Sequence, residues 1–134
     1  MRKVYKIISL LLFSSVIFFS CDNENSEIER YKNGYRKPEL IGKWKYLLND
    51  DIEYNFFLVF NNSGEIYSER LYHTGEKNSF LLYYYYTKDN IVYKYAPGGF
   101  KKSGQKINCP FKIDNDTLKL FYTNEAEVYI RDSE

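Results

Sequence analysis

The sequence is short of the residues that most catalytic and metal centres are built from. Among 134 residues there is one histidine, His73, and two cysteines, Cys21 and Cys109. With so few nitrogen and sulfur donors, no zinc site of common composition can be assembled within the chain, and neither a metal nor another cofactor is expected. His73 falls at a predicted strand end beside Thr74-Gly75, where a solvated loop histidine is the ordinary outcome. Cys109 stands between Ile107 and Phe111 in an apolar strand and reads as a buried small hydrophobe rather than half of a Cys–His pair. Gly98-Gly99 follows Pro97 and precedes no helix, which removes a phosphate-cradling loop. The acidic pairs Asp50-Asp51, Asp114/Asp116 and Glu125/Glu127 fall in turns or at their edges, where solubility explains them better than glycoside hydrolysis. We expect no enzyme and no catalytic residue.

What the chain does have begins at its N-terminus. Met1 to Lys6 carries Arg2, Lys3 and Lys6 without an acid, and Ile7 to Ser20 then runs uncharged. This is the pattern of a signal-peptide n-region and h-region. The run is shorter than the roughly 20 apolar residues of a spanning helix. Phe18-Phe19-Ser20-Cys21 resembles a lipobox, although Phe18 stands where that class prefers an aliphatic residue. The resemblance implies cleavage before Cys21 and lipid on its sulfur; the alternative is an ordinary secretory peptide with an incidental cysteine. Each buried methylene contributes about 0.8 kcal/mol, so two or three acyl chains hold a protein stably on a membrane.

Cleavage removes three of 19 basic residues and none of 18 acidic ones, for a net charge near −2. Nucleic acid is therefore not an expected partner. Asp22 to Glu29 is acidic with almost no apolar group and reads as a solvated tether. It resembles the acidic stretch that signals outer-surface display in some Gram-negative lineages, with a merely soluble tether as the alternative. The expected organisation is a signal peptide over 1–20, lipidated Cys21 with a flexible, disordered tether over 21–38, and one folded domain over 39–134. The expected place is the outer membrane of the cell envelope. Lipidation of Cys21 leaves Cys109 unpaired, so the domain has no disulfide and rests on its apolar core.

That domain reads as β throughout, from dense runs of Tyr, Phe, Ile, Leu and Val between turn residues. Eight strands are predicted: Lys43–Leu48, Tyr54–Phe60, Glu65–Tyr72, Ser79–Thr87, Ile91–Tyr95, Ile107–Ile113, Thr117–Tyr122 and Glu127–Arg131. Asn61-Asn62-Ser63-Gly64, Lys88-Asp89-Asn90 and Asp114-Asn115-Asp116 are hairpin material. Eight hairpin-linked strands point to an all-β, antiparallel up-and-down barrel, which would leave no exposed edge. Tyr83 to Tyr86 is aromatic on both faces of its strand. Such a strand is either covered on its outer side or presents tyrosines to a partner.

Gly42-Lys43-Trp44, Phe56 to Phe60 running into Asn62-Ser63-Gly64, and Val128-Tyr129-Ile130-Arg131 together resemble the lipocalin-like (calycin-like) domain of many small bacterial lipoproteins. The resemblance implies that Trp44 packs under Arg131 and closes the barrel base, as structural residues rather than ligand contacts. It also implies a small-molecule binder, with Tyr46, Tyr84, Tyr93, Cys109 and Phe111 as inward candidates for a small apolar or amphipathic ligand. That reading requires an enclosed cavity of roughly 300 Å3 or more. The alternative is an accessory module with a filled barrel that contacts another envelope protein through exposed tyrosines and the loop Ala96–Lys106, where Phe100 stands beside Lys101 and Lys102.

Overall fold

A computed structural model describes residues 23–47, 53–98 and 104–132. The segment 1–20 expected to be a signal peptide, Cys21, Asp50-Asp51 and Phe100-Lys101-Lys102 lie outside the described residues. The strands are β1 Gly42–Tyr46, β2 Tyr54–Phe60, β3 Glu65–Tyr72, β4 Lys77–Lys88, β5 Ile91–Ala96, β6 Gln105–Asp114, β7 Thr117–Phe121 and β8 Ala126–Arg131. Each pairs antiparallel with the next in sequence, and β8 returns to β1 through Trp44↔Arg131, Lys45↔Ile130 and Tyr46↔Tyr129. The result is a closed eight-stranded barrel, as the turn-punctuated aromatic runs predict.

Local chemistry accounts for the tight connections. Lys88 and Ile91 are partners across a two-residue loop whose members, Asp89 and Asn90, both have positive φ (52° and 62°). That is the backbone of a type I′ hairpin, and short polar side chains tolerate it best. Gly64, at φ +91°, turns β2 into β3; a Cβ there would also sit 2.8 Å from the Lys32 Cα. The pairing of β3 with β4 shifts between Ile66 and Tyr67, so Leu82 is an extra residue that bends β4.

One expectation is corrected. The segment read as a disordered tether contains a helix, α1 (Asn23–Lys32), which lies against β4 and β5. Glu24 stands in its first turn and Arg30 and Lys32 in its last, the order that the helix dipole favours. A helix of ten residues is marginal in isolation, so docking must hold it. Glu24, Glu27 and Tyr31 recur at helical spacing on the docked side. Glu24 Oε1 accepts from the Gly98 amide at 2.8 Å, Glu27 pairs with Lys106 at 3.3 Å, and Tyr31 is buried against Tyr86 and Tyr95 with ring centroids 5.1 and 5.5 Å away. Gly34 permits the close approach, since a Cβ there would meet the Tyr86 Cβ at 2.5 Å.

The chain beyond α1 is docked as well. The Thr87 amide donates to Tyr35 O at 2.7 Å, the Lys37 amide to Thr87 Oγ1 at 2.8 Å, and Arg36 Nε to Asn62 O at 3.0 Å. A short 3-10 helix, Pro38–Leu40, then starts on a proline, which is preorganised for a first helical position, and drives Leu40 fully into the barrel.

Candidate functional site

The barrel has two unlike ends. At the closed end lie the hairpins after β2, β4 and β6 together with Leu40. There Trp44, fully buried, donates from Nε1 to Leu40 O at 2.9 Å. The Arg131 guanidinium lies over the Trp44 indole, 4.2 Å from its centroid, and donates to Glu39 O at 2.6 Å and Ile41 O at 3.4 Å. Cation, ring and backbone carbonyls lock β1, β8 and the 3-10 helix into one plug. The barrel interior at this end is filled by Leu40 and Trp44.

The open end leads into a cavity of about 150 Å3, half of the size that the ligand-binding reading requires. The floor is apolar, with Leu58, Phe60, Ile66, Val92 and Leu120; toward the mouth stand Phe56, Leu82, Tyr83, Tyr122, Glu127 and Tyr129. Two charged side chains, Lys94 and Glu127, line this space, and Lys94 is the buried one. Lys94 is 5% exposed, and its Nζ donates to Tyr122 Oη at 3.1 Å and lies 4.6 and 5.0 Å from the Tyr83 and Tyr122 ring centroids. Among the described residues it has no carboxylate within 4 Å.

Burial pulls the Lys94 ammonium below its ordinary value, while negative charge at Cys109 and Glu127 opposes the fall. Burial pushes the Tyr122 and Tyr129 hydroxyls well above the ordinary value, and they remain donors; Tyr129 donates to Glu127 Oε1 at 3.0 Å. The Cys109 thiol is pushed up by burial too, against the pull of Lys94. Its Sγ lies 3.6 Å from Phe121 O within the core. The site can bind an anionic or hydrogen-bonding group at the end of an apolar slot. Among the described residues no group of three or more His, Cys, Asp or Glu could hold a metal.

None of the five inward candidates lines the cavity: three lie in or against the core and two on the outer face. Cys109 and Phe111 are core residues, and Tyr46 packs beside the core against Phe56 and Tyr129. Tyr84 and Tyr93 are on the outer face. Tyr93 stacks on Tyr86 at 4.9 Å beneath α1, and Lys32 Nζ lies 5.7 Å from the Tyr84 ring. The aromatic strand is therefore covered by α1 on its outer side, where Tyr86 contacts Tyr31, while Tyr83 and Tyr85 point inward.

Lys94, Tyr122, Glu127 and Tyr129 carry the site, and none is a ligand candidate in the sequence: Glu127 reads as a turn-edge acid but lies in β8 and lines the cavity, and Tyr129 enters only through the last-strand motif. In Ile91-Val92-Tyr93-Lys94-Tyr95 the aromatic set suggests that Tyr93 and Tyr95 face the core. With α1 lying outside, both parities of β5 are buried, and Lys94 shares the inner face with Val92. A lysine alternating with valine inside a strand of large aromatics is the signal that was there to find. A wider surface groove of about 620 Å3 runs past Arg30, Gly34, Tyr35, Tyr86 and Thr87. It is open to solvent and lacks a buried charge, so the interior is the better ligand site.

An ionic cluster on the outer wall ties β1, β3 and β4 together. Glu69 accepts from Lys43 at 2.8 Å and from Lys77 at 3.2 Å, and Lys43 also reaches Asp132 at 3.7 Å. Burial raises the Glu69 carboxyl, but the two lysines outweigh it and hold the group below its ordinary 4.5. A depressed carboxyl stabilises the fold above its unfolded value, and that stability is lost as pH falls through the folded value. Urea midpoints should therefore drop as pH falls below 4.5. Glu69→Gln should cost about 1 kcal/mol at neutral pH and flatten the acid limb; an unchanged limb would remove Glu69 as its source.

No family model matches this chain, and neither curated proteins nor solved structures offer a match.

Proposed function

We propose that this chain is a membrane-anchored lipoprotein of the cell envelope whose lipocalin-like barrel binds one small amphipathic molecule, an apolar body bearing an acidic group. The observation that carries the reading is the Lys94 ammonium, 5% exposed and with no carboxylate within 4 Å among the described residues, above an apolar floor. Burying an ammonium without a close ion pair costs stability, and a ligand carboxylate would supply one where Glu127 at the mouth acts only from a distance, with Tyr122 as a further donor. The 150 Å3 slot sets the size. It admits a single ring or a short aliphatic segment, with any longer tail leaving through the mouth. A cavity this far below 300 Å3 also supports an accessory module with a mostly filled barrel, which native mass spectrometry from the source membrane would reveal as a co-purifying protein.

The test uses benzoate and hexanoate as probes, followed by thermal unfolding of the wild type and Lys94→Met. Wild type should gain stability with either acid, and Lys94→Met should bind about tenfold or more weakly, because a hydrogen-bonded charge is lost. Without ligand the variant should be more stable than wild type by about 1 kcal/mol, since burial of the ammonium is relieved at similar volume. Equal responses of the two proteins would eliminate Lys94 as the ligand's anchor.

A further inference from the structure

The direction in which α1 docks determines which end of the barrel faces a membrane. Only Asp22 separates Cys21 from Asn23, the first residue of α1. Two residue steps span about 7 Å at most. The start of the helix is pinned to the open end, because Glu24 accepts from the Gly98 amide just past the end of β5. The helix then runs toward the closed end, where Tyr35 and Lys37 meet Thr87 and the Lys37 ammonium donates to Asn90 Oδ1 at 3.0 Å. A lipid on Cys21 thus emerges beside the mouth of the cavity and not beside the Trp44–Arg131 plug.

A second observation concerns the same end. Of the six large apolar side chains that stand exposed among the described residues, Leu47, Phe80, Phe121 and Tyr122 are there, at 52, 58, 40 and 38% exposure. Leu47 follows β1, Phe121 and Tyr122 close β7, and all three sit at strand ends that open the barrel. Phe80 is the telling member. It pairs in register with Ser68, itself buried, yet remains exposed; among the described residues β4 and β5 pair only from Tyr84↔Tyr95 onward, short of Phe80. Among the described residues charges around this rim are mixed, with Arg70, His73, Lys77 and Lys106 against Glu53, Glu76 and Glu125. Apolar insertion and not net charge would drive contact, as with aromatic side chains that settle at the headgroup level of a bilayer.

We infer that the open end of the barrel docks on the lipid surface, with Leu47, Phe80, Phe121 and Tyr122 in the headgroup region and α1 as a rigid strut from the anchor. The cavity then opens toward the bilayer, and its ligand enters from the lipid side. This rests on the lipoprotein reading above.

The test is a depth measurement on the full chain, purified with its anchor and reconstituted in phosphatidylethanolamine–phosphatidylglycerol vesicles containing a headgroup nitroxide. Fluorophores are placed at Asn124→Cys, in the β7–β8 turn of the open end, or at Asn62→Cys, in the β2–β3 turn of the closed end, roughly 20 Å away along seven-residue β2. Cys109 is buried and should not compete for label. Docking predicts quenching several-fold stronger at Asn124→Cys, and loss of that difference when a long Gly-Ser insert follows Asp22. Equal quenching, or stronger quenching at Asn62→Cys, in protein that floats with the vesicles and carries acyl mass on Cys21 would overturn the docking and leave the anchor standing. Protein that neither floats nor carries acyl mass, behaving like Cys21→Ala, would overturn both.

Discussion

Trp44→Ala is expected to destabilise the barrel by about 4 kcal/mol, the range for deleting a fully buried large aromatic side chain. The whole stability of a domain this size is about 5–15 kcal/mol, so the variant should be largely unfolded under mild denaturation. Three losses coincide at this position. The indole leaves a cavity under Leu40, Leu40 O loses its donor, and the Arg131 guanidinium loses the face it rests on. Arg131 would keep its bonds to Glu39 O and Ile41 O but no longer couple them to the barrel floor. Urea unfolding followed by far-ultraviolet circular dichroism reads the effect. A loss under about 1 kcal/mol would show that the plug does not hold the barrel shut. Arg131→Lys separates charge from shape: a lysine keeps the cation but not the planar fork over the ring, and should lose a large part of the coupling.

The second large effect is local. Tyr31→Ala should release α1 from the barrel, because Tyr31 is the one large side chain of the helix that is fully packed, 3% exposed between Tyr86 and Tyr95. Truncating such a residue nominally costs about 3–5 kcal/mol. Here the loss is capped by the free energy of docking, since a helix with nothing to rest on can detach without unfolding the strands. The remaining ties, Glu24 to Gly98 and Glu27 to Lys106, are exposed or half-buried and worth little by themselves. Hydrogen exchange should show the amides of Asn23–Lys32 losing protection while those of β6 and β7 keep theirs. Undiminished protection in α1 would mean that the polar ties, and not Tyr31, hold the helix.

Strand existence, order and turn chemistry were legible because they are short-range. Tyr54–Phe60 and Glu65–Tyr72 have the bounds that their apolar runs imply, and Asp89-Asn90 adopts the positive φ pair that its residue types favour. The helix was not legible. Its docked face presents Glu24, Glu27 and Tyr31, so the usual apolar stripe is missing, and acidic groups there satisfy a backbone amide and a lysine of the barrel. Composition reads such a segment as solvated, and only the partners across space reveal otherwise.

The candidate site divides along the same line. The alternation of Ile107, Cys109, Phe111 and Ile113 in β6 is a property of one strand, and the structure buries that face. The facing of β5 is not. Whether Tyr93 or Lys94 turns inward depends on what covers the outside, and α1, some sixty residues earlier in the chain, covers Tyr93 and Tyr95 and leaves the interior to Val92 and Lys94. The sequence by itself determined an eight-stranded barrel, because pairing period and turn preference act between neighbours; the Trp44–Arg131 pair at its base was implied only by a family resemblance. Tertiary structure alone decided that a polar segment becomes a helix, that a lysine is buried and that the first turn of α1 lies beside the mouth, because each depends on contacts between residues distant in the chain.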